Sequence, residues 1–279
     1  MTVFGEIITS KQNRVVVEIG KLVDRKARSA EGCFRFDGLK LFREAVANGI
    51  VIEKILVDQD RAARILPEVQ ALAAHSSLSE AVLYTLSGDA FSKVSREQAP
   101  EGILTVAKFP PIHGKGKESV ARLAALAKDP NCGVLLLESV RDPGNVGTIL
   151  RSAAAFGISC VAISADCADI YNEKTLRGAM GALFRIPILE FADIKDAVAL
   201  LRKEGRRVFA AALDPSAIKL NKSLLERGDC VVIGNEGHGL SPETIRACGQ
   251  SLYIPMEAGS ESLNAAIAAS VILWSMYGI

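Results

Sequence analysis

The chain has 279 residues, of which 49% are hydrophobic and 23% charged, an ordinary globular usage that excludes a disordered or collagen-like protein. With 33 Lys and Arg against 32 Asp and Glu, the net charge of +1 carries no global nucleic-acid signal, so only local clustering could supply one. Aromatic residues make up 5% with a single Trp, too few for a surface built mainly on stacking platforms.

Taken from the start, the first six residues lack both a basic segment and an unbroken apolar core, so no leader is expected and a cytoplasmic protein is the default. Residues 11–28 hold six bases, Lys11, Arg14, Lys21, Arg25, Lys26 and Arg28, against Glu18 and Asp24. They lie on a helix-compatible segment whose apolar set is Val15, Val16, Ile19, Leu22 and Val23. Such a run is either a solvated helix face or a phosphate-contacting surface. Helical patterns at 36–47 and 64–74 and strand patterns at 50–57 and 102–106 make residues 1–107 a small α/β domain. Residues 108–118, with Pro110-Pro111 and Gly114-Lys115-Gly116-Lys117 and no periodicity, read as a linker.

From 119 to 279 strands and helices alternate. Strand-like runs fall at 133–137, 159–164, 185–189, 208–213, 230–233 and 251–254. Helical patterns fall at 146–156, 194–204, 242–248 and 263–276, and the longest apolar stretch, 265–274, is well short of the roughly 20 residues that span a bilayer. The first strand, Gly133-Val-Leu-Leu-Leu137, is apolar without alternation, as a strand covered on both faces must be. The pattern predicts a mostly parallel, doubly wound sheet, with its ligand at the carboxyl ends of the strands.

Three of the loops found there are unusual. The first runs through Asp142-Pro-Gly-Asn145 into a helix carrying Arg151, with Asn145 expected as the N-cap. The second, Gly234-Asn-Glu236-Gly-His238-Gly-Leu240-Ser241-Pro242, has glycines that let a ligand approach the backbone, a carboxylate among them, and a Ser-Pro helix start. The third follows Ile254-Pro-Met256 and reaches Ser262-Leu263-Asn264, with Ser262 expected to cap the last helix. Neither G-x-G-x-x-G nor a phosphate-loop motif is present, which argues against dinucleotide and nucleoside-triphosphate sites. The six cysteines are scattered and form no C-x-x-C pair; the three histidines have no close Cys or His partner. Buried reduced thiols and no metal site are therefore expected.

In order, Asn145-Val-Gly-Thr-Ile-Leu-Arg151, Ile233-Gly-Asn-Glu236-Gly-His-Gly-Leu240 and Ile254-Pro-Met256 with Ser262-Leu-Asn264 resemble the three motifs of the SpoU–TrmH family of RNA 2′-O-ribose methyltransferases, within the SPOUT class. The stretches 174–181 and 185–187 also match, and the segment from Phe36-Asp37-Gly38 to Glu44 is similar to the family's ribosomal-protein-like RNA-binding domain. The resemblance implies a trefoil-knotted parallel sheet with helices on both faces, an N-terminal RNA-binding α/β domain, S-adenosylmethionine bound in the knot, and a homodimer. It makes Asn145, Arg151, Glu236, Ser262 and Asn264 the catalytic set. It puts backbone groups of Leu213, Gly234, Ile254, Met256 and Leu263 around the methyl donor. His238 and Ser275 depart from the usual acidic residues at their positions, outside that set. Ribosomal RNA is the expected substrate by analogy; transfer RNA and a non-catalytic RNA-binding relative are the alternatives.

Overall fold

The computed structural model describes residues 1–221, 223–257 and 262–277, so part of the third loop, 258–261, lies outside the described residues. The chain divides into two compact units, Met1–Pro110 with Tyr171–Glu173, and Pro111–Ile170 with Lys174–Ile279.

The first unit runs β1 (Thr2–Ile8), α1 (Arg14–Lys21), α2 (Arg25–Glu31), β2 (Cys33–Asp37), α3 (Leu39–Ala47), β3 (Ile52–Asp58), α4 (Ala62–Ala71), β4 (Val82–Leu86), α5 (Gly88–Val94) and β5 (Ile103–Lys108). Its five strands are ordered β1-β4-β3-β5-β2, with β5 antiparallel to both neighbours and the others parallel. Val16 and Ile19 of α1 and Ala90 and Phe91 of α5 join Leu56, Leu86, Leu104 and Val106 in one core.

Three expectations change here. The basic segment is two helices, separated at Leu22–Asp24, because Asn13 caps α1 through Val15 N–H and Asp24 begins the next. Residues 36–37 belong to a strand: the Phe-rich β2 pairs with β5, and Gly38 at φ 103° turns the chain before α3 starts. The linker is ordered, since Gly114–Lys115 pairs with a later strand and a helix starts at Lys117.

The second unit contains β6 (Gly114–Lys115), α6 (Lys117–Leu126), β7 (Val134–Leu137), α7 (Pro143–Phe156), β8 (Cys160–Ser164), α8 (Glu173–Ala179), β9 (Ile188–Phe191), α9 (Ile194–Lys203), β10 (Val208–Ala211), β11 (Ile218–Lys219), β12 (Cys230–Ile233), α10 (Pro242–Cys248), β13 (Gln250–Tyr253) and α11 (Ala265–Tyr277). Of α8, Glu173 alone falls in the first unit. All eight strands run parallel, in the order β11-β13-β10-β12-β7-β8-β9-β6. Val134 and Leu136 of β7 pack with Leu123 of α6, Val198 and Leu201 of α9 and Cys248 of α10. Leu135 and Leu137 are equally buried on the other face, where α11 packs against β12 and α7. Covered on both sides, the strand has no polar position to alternate with. All six cysteines are buried free thiols. Among the described residues no helix is long and apolar enough to cross a membrane.

Arg206 ties this unit together. Its guanidinium donates to the carbonyls of Ala127, Asp129, Pro130 and Cys132 before β7, and to that of Gly228 before β12. Gly228 must be bare, because a Cβ there would lie 1.8 Å from the Pro130 oxygen. Arg206→Met keeps the apolar stem and orphans the carbonyls. The expected cost is roughly 3 kcal/mol, read as a fall of several degrees in the melting temperature of the full chain.

Candidate active site

The motif loops converge at the carboxyl ends of β7, β10, β12 and β13. Three amide and carboxylate side chains form a directional chain. Asn264 Oδ1 accepts the N–H groups of Ala266 (2.9 Å) and Ile267 (3.3 Å), which caps α11. Its Nδ2 then donates to Asn145 Oδ1 at 3.0 Å, and Asn145 Nδ2 donates to Glu236 Oε1 at 2.8 Å. Each amide thus has its orientation fixed by its neighbours, and one oxygen of Glu236 is left for a further donor.

Two caps differ from expectation. Asp142, not Asn145, caps α7: its carboxylate accepts the Asn145 N–H at 2.8 Å, with Pro143 opening the helix. An N-cap side chain turns back onto its own helix; Asn145, inside the first turn, can instead reach across to another loop. Lys174 bonds the same Asp142 carboxylate at 2.9 Å, and this, followed by the Asn145 N–H, holds it below the usual carboxylate range. Likewise Asn264, not Ser262, caps α11. Ser262 instead lines the cavity beside Glu236 and Leu263.

That cavity has a volume of about 350 Å³, within the roughly 300–1,000 Å³ common for small-molecule sites. Leu213, Gly234, Ile254, Met256 and Leu263, the five positions expected around the methyl donor, all line it. At Gly234 a Cβ would sit 2.4 Å from the Gly239 carbonyl carbon, so only a bare backbone closes the loop there. Apolar walls beside exposed loop backbone suit a nucleoside with an amino-acid tail, and the residues present fit S-adenosylmethionine.

Two further side chains shape the loops, and neither was singled out in the sequence. Asn235 Nδ2 donates to the Ser139 carbonyl at 2.7 Å, while its Oδ1 accepts Gly237 N–H at 2.9 Å and His238 N–H at 3.1 Å. It locks the second loop to the first, where Ser139 adopts a left-handed φ of 55°. Glu138 accepts from Ser241 N–H (3.0 Å), Ser241 Oγ (2.9 Å) and Thr244 Oγ1 (2.6 Å), anchoring the start of α10. The signal for Asn235 was its place before Gly237 in a glycine-rich turn, where an Asx side chain closes on the backbone two residues on. Glu138 offered no signal, because its partners lie about a hundred residues away.

Arg151 is exposed on α7, six residues beyond Asn145. That is roughly 9 Å along the axis and around its other side. The structure does not join it to the Asn145–Glu236–Asn264 chain, and among the described residues it has no hydrogen-bond or ion-pair partner.

Asn145→Asp should be informative, since it puts a second carboxylate 2.8 Å from Glu236 where a donor now stands. Turnover is expected to fall about 100-fold. Affinity for S-adenosylmethionine, measured by calorimetry, should stay within about threefold.

Of the six bases in the basic segment, Lys21, Arg25 and Lys26 are exposed at the junction of α1 and α2. Lys11 pairs with Asp89 at 3.4 Å and Arg14 with Glu18 at 2.6 Å, both on the surface. Arg28 does not belong to that surface: it is buried and donates to the Leu22 and Val23 carbonyls at 2.7 and 2.5 Å, fastening the turn between the helices.

A parallel sheet with a donor-sized cavity bounded by a Gly-Asn-Glu loop and an amide-capped final helix defines a methyltransferase of the SPOUT type. The sequence model of the SpoU rRNA Methylase family matches residues 133–274, and that of the MRM3-like substrate binding domain matches residues 13–105. The chain is 31% identical over 271 residues to the 23S rRNA (guanosine(2553)-2'-O)-methyltransferase RlmP of Bacillus subtilis, covering 97% of this chain and 99% of that one. It is 26% identical to the mitochondrial rRNA methyltransferase 3 of Xenopus tropicalis, over 93% of this chain and 72% of the relative. The crystal structure of an AdoMet-bound rRNA methyltransferase from Sinorhizobium meliloti superposes with a TM-score of 0.81 at 27% identity, covering 98% of this chain and 97% of that one. The chain belongs to the SpoU rRNA methylase family, and it is an RNA ribose 2′-O-methyltransferase with S-adenosylmethionine as methyl donor.

Proposed function

We propose that this enzyme methylates a ribose 2′-hydroxyl of ribosomal RNA, as a cytoplasmic homodimer with a knotted donor site. The observation that carries the reading is the Asn264–Asn145–Glu236 chain at the rim of the cavity. Bound there, S-adenosylmethionine supplies an electrophilic methyl group on a positively charged sulfur. The acceptor hydroxyl must lose its proton as the new bond forms. Glu236, fixed through one oxygen by Asn145, offers the other to that hydroxyl. Arg151 grips the adjoining phosphate and favours the developing alkoxide; a guanidinium holds its own proton too tightly to be the base. Ser262 closes the third side of the acceptor site.

The order β13-β10-β12-β7, with α11 returning to pack on α7, supports threading of the last segment through the unit. Ser152 and Ser270 join these helices at 2.9 Å, and the Phe156 and Trp274 rings meet edge-on at 6.2 Å. Ile267 and Trp274 nevertheless remain over half exposed on α11, a cost that pairing with a second copy would remove.

The test is incorporation of labelled methyl groups from S-adenosylmethionine into ribosomal RNA and into transfer RNA, with the modified ribose mapped by its resistance to alkaline cleavage. Methylation of ribosomal RNA alone is expected, and transfer to transfer RNA alone would overturn the substrate assignment. Reversing Lys21 and Lys26 to Glu should weaken RNA binding about tenfold or more at low salt and flatten its salt dependence by about two contacts. Donor binding should be unaffected.

A further inference from the structure

We infer that Phe4 and Tyr84, with the cations beside them, form a seat for one unpaired base of the RNA; the inference rests on RNA being the substrate and adds where it is gripped. β1 is an edge strand, and Val3, Phe4 and Ile7 on it are 62%, 45% and 46% exposed. Exposure of this kind on an edge invites unwanted pairing unless something uses it. The Phe4 ring is not loose: it lies on Tyr84 of β4, centroids 5.4 Å apart and planes at 43°. Tyr84 is itself packed against the core that contains Leu56 and Leu86. The result is an anchored aromatic pair on the strand edge.

Cations share this face of the sheet. Lys54 of β3 lies in register with Val82, two residues before Tyr84, as Leu56 lies in register with Tyr84 itself. Its ammonium is 3.9 Å from Glu18, which Arg14 also bonds. Arg14, Glu18 and Lys21 recur at helical spacing along one stripe of α1. Glu18 sits between two cations, so the stripe and strand together remain positive even with Glu6 further along β1. A single aromatic face flanked by positive charge suits a nucleotide, with its base on the ring and its phosphate toward Arg14. In a duplex the bases are stacked within the helix, so the seat selects loops, bulges or ends. This placement favours RNA over a protein strand on the β1 edge, which would draw on backbone groups and need none of these cations.

The experiment is fluorescence anisotropy of the full chain with a fluorescein-labelled RNA hairpin bearing an unpaired loop and with a blunt duplex of the same stem. Phe4→Ala should weaken hairpin binding about tenfold, within the roughly 1–3 kcal/mol expected for one stacked base. It should leave duplex binding and donor binding unchanged and lower the melting temperature by no more than a few degrees, and Phe4→Trp should restore the hairpin affinity. Arg14→Ala should lower the salt slope by about one contact, whereas Phe4→Ala should not. Hairpin affinity within twofold for Phe4→Ala, equal weakening toward hairpin and duplex, or loss of self-association in place of RNA binding would each overturn the inference. A wild-type chain that binds neither RNA would overturn the RNA reading as well, which separates the two failures.

Discussion

Arg151→Ala is expected to lower methyl transfer to ribosomal RNA by about a thousandfold or more, with S-adenosylmethionine affinity within a few-fold of wild type. Arg151 does not line the donor cavity and has no partner among the described residues. Its removal therefore breaks nothing that holds the fold or the donor. An exposed guanidinium on α7 that serves no other group among the described residues can act on what arrives from outside. If it steadies the negative charge that builds on the 2′-oxygen, its loss appears in kcat more than in KM. Arg151→Lys keeps the charge but loses the planar fork, so it should recover about a tenth of the wild-type rate or less. Single-turnover rates with saturating RNA give the comparison. Near-normal turnover of the alanine variant would remove Arg151 from the chemistry.

The placement of the other site residues shows what a sequence conveys and what it withholds. The sheet was legible because Val134–Leu137, Cys160–Ser164 and Cys230–Ile233 are short apolar runs buried on both faces, and α10 because Ser241-Pro242 is a strong helix start. The five positions expected around the methyl donor came from motif resemblance, and all five line one cavity. Capping is ambiguous in the sequence for a physical reason. Asp142 and Asn145 are both good caps three residues apart, and the choice depends on Pro143, which can only open the helix. The same ambiguity placed the cap of α11 on Ser262 when Asn264, two residues later, performs it.

In the basic segment, charge alone could not reveal that Arg28 turns inward. Its partners are backbone carbonyls at Leu22 and Val23, and they exist only because the chain breaks its helix there. β1 and β4 are not legible in the sequence because their burial is uneven: almost all of β1 is exposed, and β4 alternates irregularly. A strand whose outer residues face water on both sides carries no period-2 signal.

The second large effect concerns the donor loop. Gly234→Val is expected to weaken S-adenosylmethionine binding by about 30-fold or more, equivalent to about 2 kcal/mol. The added Cβ would fall 2.4 Å from the Gly239 carbonyl carbon, 2.5 Å from its oxygen and 2.6 Å from the Leu240 nitrogen. All three are backbone atoms, so no rotamer change can make room. The two Gly239 atoms also belong to the segment closed by the paired Asn235–Gly239 hydrogen bonds of 3.0 and 2.9 Å. Opening that segment moves Glu236, and with it the acceptor for Asn145, so activity should fall further than donor affinity alone requires. Gly237→Ala is the control. Its nearest neighbour would be the Asn235 Oδ1 at 3.5 Å, an ordinary contact, and its backbone does not need a left-handed φ. Donor affinity within about threefold for Gly237→Ala, beside severe loss for Gly234→Val, would show that close backbone approach at one position, and not glycine content in general, builds the pocket. Equal affinities for the two variants would mean that the donor binds elsewhere.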